Sequence, residues 1–301
     1  MMGLSLIAVP YRYDELHDGL GLGPGALLDA GLVEALRQAG VDVNDPVEVR
    51  LPEDERIDGP IAANIGRLGA HVGRHVAEAR EDGGWVLVLA GDDTTSVGVI
   101  GGLQLAHGAG RRIGIVWFDA HGDFNTPETS FSNILAGMPL AILAGLAGPL
   151  WRESAMLAAT VPTDRMVIAG VRELDDAEEQ LLRSTDVQIL RHAESLSGWT
   201  FANAMSRLAE KVDEIYVHID LDVLDPSLVP SSSTPSPRGM TLANMEKLLD
   251  QAFATGKVAV VGLAGLNPRA GQRGETSTAS AKALLLAVIP RWMGIERSER
   301  T

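Results

Sequence analysis

The sequence predicts an α/β protein built on a parallel sheet, and three observations carry that expectation. Short apolar runs alternate with longer stretches whose apolar residues recur at helical spacing, eight runs in all. Most of the runs are apolar rather than alternately polar, as in Ile113-Gly114-Ile115-Val116-Trp117-Phe118, which marks a strand covered on both faces. Clusters of acidic residues and histidine follow the carboxyl ends of these runs, where parallel sheets present side chains to ligands. With 301 residues, 46% hydrophobic content, no composition break and no internal repeat, a single domain over residues 1–301 is the simplest organisation. Periodicity alone leaves open a closed eight-stranded barrel and an open three-layer sheet.

The elements follow in order. A strand at 4–9 leads through a glycine-rich loop into a helix at about 26–38, with Leu27, Leu28, Leu32 and Leu36 on one stripe and Gly40 as its stop. A second strand is expected at 47–49, then a helix at 61–80 carrying His71 and His75 at i and i+4. That spacing suits a metal, but with no acidic ligand beside them in sequence the two histidines read as a surface or packed pair. The third strand, 85–90, ends in Gly91-Asp92-Asp93-Thr94-Thr95, and the helix running on to about residue 107 has Asp93 or a threonine as its expected cap. The fourth strand is 113–118, followed by a helix at 135–146. Strands at 166–169 and 187–190 flank a helix at 177–183. A helix at 201–212, a strand at 215–219, a helix at 241–254, a strand at 258–263 and a helix at 278–293 complete the chain.

The formal net charge of −15 argues against nucleic acid or an anionic membrane as partner, since both attract clustered Lys and Arg. No apolar run is long enough to span a bilayer, and Met1-Met2-Gly3-Leu4 lacks the basic segment of a signal peptide. Zero cysteines exclude disulfides and thiolate chemistry and fit a reducing compartment, so a cytoplasmic location is expected.

The candidate site centres on Asp119-Ala120-His121-Gly122-Asp123, at the end of the fourth run. In an extended chain, Asp119, His121 and Asp123 alternate and share one side. Val217-His218-Ile219-Asp220-Leu221-Asp222 repeats the pattern with Asp220 and Asp222, ahead of the turn Leu224-Asp225-Pro226. Four carboxylates in one pocket repel one another unless a cation neutralises them, so a metal centre is a better reading than an acid/base site. Oxygen-rich ligation favours manganese or magnesium over zinc. His218, two residues before Asp220, either reaches toward this centre or is a buried histidine satisfied by a hydrogen bond.

The two clusters, continuing into Phe124-Asn125-Thr126-Pro127 and Leu224-Asp225-Pro226 and joined by Ala90-Gly91-Asp92-Asp93, resemble the arginase and agmatinase family. These ureohydrolases hydrolyse guanidino compounds on a pair of manganese ions. The resemblance runs from Gly19-Leu20-Gly21-Leu22-Gly23-Pro24 to Asn267-Pro268 and implies an open three-layer αβα sandwich around an eight-stranded parallel sheet. It implies one Mn2+ site of Asp119, His121, Asp220 and Asp222. The other is made of Asp93, Asp119, Asp123 and Asp220, with Asp93 standing where the family has a histidine. It further implies a small, amino-acid-like substrate contacted by Asn125, Ser130, Ser132 and Asp175, with Thr234 near the reacting group, and a homo-oligomer, trimer or hexamer.

Two departures stand at the reactive end. The family's proton-shuttling histidine is Ala136 here, and the glutamate that binds the guanidinium is Gly265. Removing one partner of a buried ion pair costs roughly 3–5 kcal/mol, so ordinary arginase activity is not expected. Glu128 is a candidate replacement acid/base group, with an exposed glutamate as the plain alternative, and His218 is a second candidate. The expected function is metal-dependent hydrolysis of a C–N bond in a guanidine, amidine or amide, with metal-bound hydroxide attacking the carbon. The alternatives are a single-metal amidohydrolase, if the Asp93 site is empty, and a non-catalytic metal- or ligand-binding relative.

Overall fold

The computed structural model describes residues 3–295. The apolar runs form the strands β1 (Leu4–Val9), β2 (Val47–Glu48), β3 (Trp85–Ala90), β4 (Ile113–Phe118), β5 (Met166–Val171), β6 (Gln188–Arg191), β7 (Glu214–Asp220) and β8 (Val258–Ala264). They make one eight-stranded sheet in the order β2-β1-β3-β8-β7-β4-β5-β6, with every pairing parallel. The sheet is open, since β2 and β6 do not pair with each other. The order places β3, β8, β7 and β4 side by side, and so gathers the acidic clusters at the carboxyl ends of β3, β7 and β4 although they lie far apart in sequence.

The connections form helices α1 (Gly23–Asp29), α2 (Leu32–Gln38), α3 (Ile61–Glu81), α4 (Ser96–His107), α5 (Pro139–Leu143), α6 (Pro149–Ser154), α7 (Asp176–Arg183), α8 (His192–Leu196), α9 (Gly198–Lys211), α10 (Leu242–Phe253) and α11 (Gln272–Trp292). Strand side chains alternate between two faces, and each face has its own core. Leu87, Leu89, Val116 and Phe118 pack with residues of α1, α2, α9, α10 and α11. Val86, Val88, Ile115 and Trp117 pack with α3, α4 and α5. Two helical layers thus cover both sheet faces, which is why the strands carry no polar alternation.

Several helix boundaries depart from the sequence expectations, each for a local reason. The helix expected at 26–38 is split into α1 and α2 by Gly31, which adopts a left-handed φ of 73°. The stretch Gly19–Gln38 is apolar and long enough to cross a membrane by length and composition, contrary to the expectation of no such run. That break divides it into short helices. The segment expected as a helix at 135–146 becomes a 3-10 turn, Leu135–Gly137, and a short α5. Pro139, lacking an N–H, fits only the first turn of the helix it starts. Gly145, at a φ of 86°, follows its end. Helices α6 and α8 and the small hairpin of Tyr11–Arg12 with Glu15–Leu16 are too short for periodicity to reveal.

The layer over β3 is held by glycines. A Cβ on Gly98 of α4 would lie 2.4 Å from the Gly69 carbonyl of α3, and one on Gly102 would lie 2.5 Å from the Gly73 carbonyl. The two backbones are therefore in contact, which fixes α4 and the Asp92-Asp93 turn before it. Gly98→Ala is expected to lower stability by about 1–3 kcal/mol, as overpacking does. Urea denaturation checks this, and an unchanged midpoint would show that the helices have room to separate.

Candidate metal centre

The clusters converge through tight turns rather than through strand alternation. β4 ends at Phe118, and the chain bends at once, with the Asp119 carboxylate accepting the His121 backbone N–H at 2.7 Å. Asp123 takes a left-handed φ of 47°, which a short polar side chain tolerates better than most. The expectation that Asp119, His121 and Asp123 share a side by extended alternation is thereby corrected. The same device follows β7, where Asp220 accepts the Asp222 N–H at 2.8 Å across a 3-10 turn. Asp222 then accepts the Ala120 N–H at 3.1 Å and ties the two clusters together. After β3, Asp92 caps the 3-10 turn Asp93–Thr95, accepting the Thr94 N–H at 3.0 Å and the Tyr13 N–H at 2.6 Å, while Thr95 holds the N-cap position of α4 without a side-chain bond. Asp93 is left to face the centre.

Two ligand-bearing groups result, Asp119 with His121 and Asp222, and Asp93 with Asp119 and Asp123. Within each, the candidate ligand atoms lie within 4.8 Å of one another. Asp119 belongs to both. Asp220 is close enough to Asp93, Asp119 and Asp222 for all three to raise its pKa. Burial and the neighbouring carboxylates push Asp123 and Asp220 well above the usual range, and push Asp222 up to about 6. His121 shows the opposite balance. Burial pulls it down, but its hydrogen bonds to Asp119 and Asp222 prevail and push it up to about 12. Burial likewise pushes Asp119 up, yet the His121 contacts hold it at about 2. Asp123 Oδ2 is buried without a hydrogen-bond partner. An orphaned carboxylate oxygen among like charges fits a divalent cation, and the carboxylates with one imidazole are a donor set that such a cation takes.

These groups floor a cleft of about 870 Å³ whose lining includes Asp93, His121, Asp123 and Asp220 together with Asn125, Ser132, Asp175 and Thr234. Asn125 donates to Asp175 at 3.4 Å, and the Thr234 hydroxyl donates to Asp222 at 2.8 Å. Ser130 is outside the lining, its hydroxyl accepting the Asn133 N–H at 2.9 Å. Glu128 is exposed and does not line the cleft. His218 is buried, bonded to Asp93 and to Tyr216. His71 pairs with Glu55 at 2.8 Å, and His75 lies 3.4 Å from Glu78, both away from the cleft.

Among the cleft residues that sequence reasoning misses are Glu173, Glu178 and Tyr13. Glu173 holds an oxygen 3.7 Å from His121 Nε2 and accepts the Ser236 hydroxyl at 2.7 Å. Glu178 accepts the Phe124 N–H at 2.9 Å, and burial pushes it up to about 7. Both follow β5, so the carboxyl-end rule could have found Glu173. Tyr13 lines the cleft beside Ala136, at a φ of 57°, and no local signal in the sequence announces it.

An open parallel sheet with two adjoining carboxylate-rich groups at its carboxyl edge defines an α/β protein with a candidate metal centre. A model of the Arginase family matches residues 2–289, and the chain belongs to that family, whose members are metal-dependent hydrolases of C–N bonds. The arginase of Bacillus caldovelox is 29% identical over 292 residues, covering 92% of this chain and 95% of its own. Its native structure at pH 5.6 superposes with a TM-score of 0.84 at 26% identity, over 96% of this chain and 98% of that one. The Entamoeba histolytica arginase in complex with L-ornithine reaches 0.84 at 23% identity, over 96% and 99%. The formimidoylglutamase of Bacillus subtilis reaches 0.75 at 18%, over 99% and 89%. These last two show the shared fold alone.

The pKa shifts give a sign. Asp123, Asp220, Asp222, Asp92 (pushed up by burial to about 6) and Glu178 bind protons more tightly folded than unfolded. The metal-free protein therefore loses stability as pH rises from about 4 through 7, and His121 adds to the loss above its ordinary 6.5. A cation relieves the repulsion. The rise in Tm on adding manganese is expected to be larger near about pH 8 than near about pH 5. Thermal unfolding with and without the ion checks this, and equal rises would contradict it.

Proposed function

We propose that the protein hydrolyses a carbon–nitrogen bond of a small, amino-acid-like molecule on a centre of two divalent cations, manganese foremost. Its reacting group is an amide or a weakly basic amidine rather than a guanidinium. The observation that carries this reading is the sharing of Asp119 by two ligand groups on the floor of one cleft. Asp93, Asp119, His121, Asp123, Asp220 and Asp222 would hold the ions, which supply an activated water when bound. Asn125, Ser132 and Asp175 line the same cleft and offer hydrogen bonds to the carboxylate and amino groups of an amino acid.

Gly265 supports the choice of reacting group. Its φ of 87° is left-handed, and a Cβ there would lie 2.4 Å from Asp220 Oδ1. No side chain fits without displacing a ligand, so nothing at this position can pair with a guanidinium. Tyr13 supplies a proton-bearing group beside Ala136. Burial raises its pKa, and Asp92 holds its backbone, so the phenol can hydrogen-bond a departing nitrogen.

Elemental analysis after purification in manganese is expected to find two ions per chain, and none in Asp119→Ala. A panel of guanidines, amidines and amides, followed by ammonia or amine release, is expected to yield turnover among amides or amidines; efficient turnover of arginine alone would overturn the assignment. On the substrate so found, Asp175→Ala should raise KM about tenfold with little change in kcat, the mark of lost ground-state binding. Gly265→Glu is expected to lower metal content and Tm rather than to confer arginase activity.

A further inference from the structure

Asp93 stands where the family's histidine ligand is absent, so whatever orients its carboxylate decides whether the first ligand group exists. Behind it lies a buried chain of hydrogen bonds. His218 Nε2 is 2.8 Å from Asp93 Oδ1, and His218 Nδ1 is 2.7 Å from the Tyr216 hydroxyl. A carboxylate only accepts, so Nε2 carries the proton and Nδ1 accepts from the phenol. Both ring nitrogens are consumed, and neither is left to ligate.

The imidazole is also clamped. Its ring stacks on Trp117 with centroids 3.7 Å apart and planes 14° from parallel, because Trp117 and His218 are register partners across β4 and β7. Its register partner on β8 is Gly262, where a Cβ would lie 2.4 Å from the Tyr216 hydroxyl. Glycine at that position leaves the space the phenol occupies. Trp117 Nε1 in turn donates to Asp119 Oδ2 at 3.0 Å, so the same aromatic layer orients the carboxylate common to both groups.

The geometry points to His218, backed by Tyr216 and held by Trp117, as the positioning residue that makes Asp93 a metal ligand. An imidazole from β7 thus serves, one bond removed, the ion that a histidine at position 93 would have ligated directly. Outer partners of this kind fix the rotamer of a ligand and satisfy its remaining lone pairs. The first group then offers only oxygen while the second offers His121 nitrogen, so the two ions sit in chemically unequal sites, the first suited to a hard cation. This inference rests on the two-cation reading above.

The test is titration of Mn2+ into chelator-treated full-length protein, counting ions and measuring each affinity. Wild type is expected to bind two. His218→Phe keeps a ring against Trp117 and removes the donor; it is expected to weaken one ion by about 10- to 100-fold and leave the other unchanged. The weakened ion is the one that Asp123→Asn also weakens, since Asp123 belongs to the first group only. His218→Gln, which retains an N–H near Nε2, is expected to recover most of the loss. Two ions at wild-type affinity in His218→Phe would overturn the assignment. So would equal weakening of both ions in the Phe and Gln variants alike, which would mark a packing role. A single ion in wild type would overturn it as well, because Asp93 would then not ligate. No ion in wild type would reject the two-cation reading along with it.

Discussion

The mutual repulsion of buried carboxylates is the constraint on which this structure turns. Asp93, Asp119, Asp123, Asp220 and Asp222 are all buried, and they lie at the carboxyl ends of adjacent strands in the middle of the sheet. Isolated ionised carboxylates are too costly to bury. The fold keeps them together by giving several of them backbone N–H donors in tight turns, by setting His121 between two of them, and by leaving their remaining lone pairs to a cation. The glycine contact between α3 and α4, the Asp92 cap and the Thr234 hydroxyl all hold that arrangement in place.

The departures from the family pattern are linked to particular neighbours. Asp93 in place of a histidine comes with His218 behind it, Ala136 comes with Tyr13 lining the same cleft, and Gly265 comes with Asp220 pressed into the space a side chain would need. In each case a second residue, distant in sequence, stands beside the altered position. This pattern fits a metal centre altered at one ligand position, while the groups that address the reacting end of the substrate have changed as well.

Two of the strained backbone positions belong to the cleft. Tyr13 and Asp123 both hold positive φ without being glycine, a cost that surrounding contacts must offset. Tyr13 is held through Asp92, and Asp123 through the Leu140 N–H donated to its carbonyl at 3.0 Å. Arg172 secures the opposite loop. Its guanidinium donates to the carbonyls of Gly170, Asp222 and Ser236, so it acts as a brace for the loop after β7 despite lining the cleft.

The sequence by itself determined most of the strands, because short apolar runs rich in β-branched residues and bounded by turn signals fit a sheet covered on both faces. It also marked the acidic residues that meet at the candidate metal centre, because they stand in clusters at the carboxyl ends of apolar runs. Helix 26–38 was read through its break because a glycine is only weakly disfavoured within an apolar stripe, and its left-handed conformation becomes visible only once the chain is packed. Strand order decided the rest. Placing β8 between β3 and β7, and β4 beside β7, sets Gly262, His218 and Trp117 in register and brings Asp93 to His218. Hydrogen bonds and stacking of this kind depend on distances of a few ångströms between residues far apart in the chain, and no local pattern encodes them. The roles of Tyr13 and His218 therefore belong to the tertiary structure.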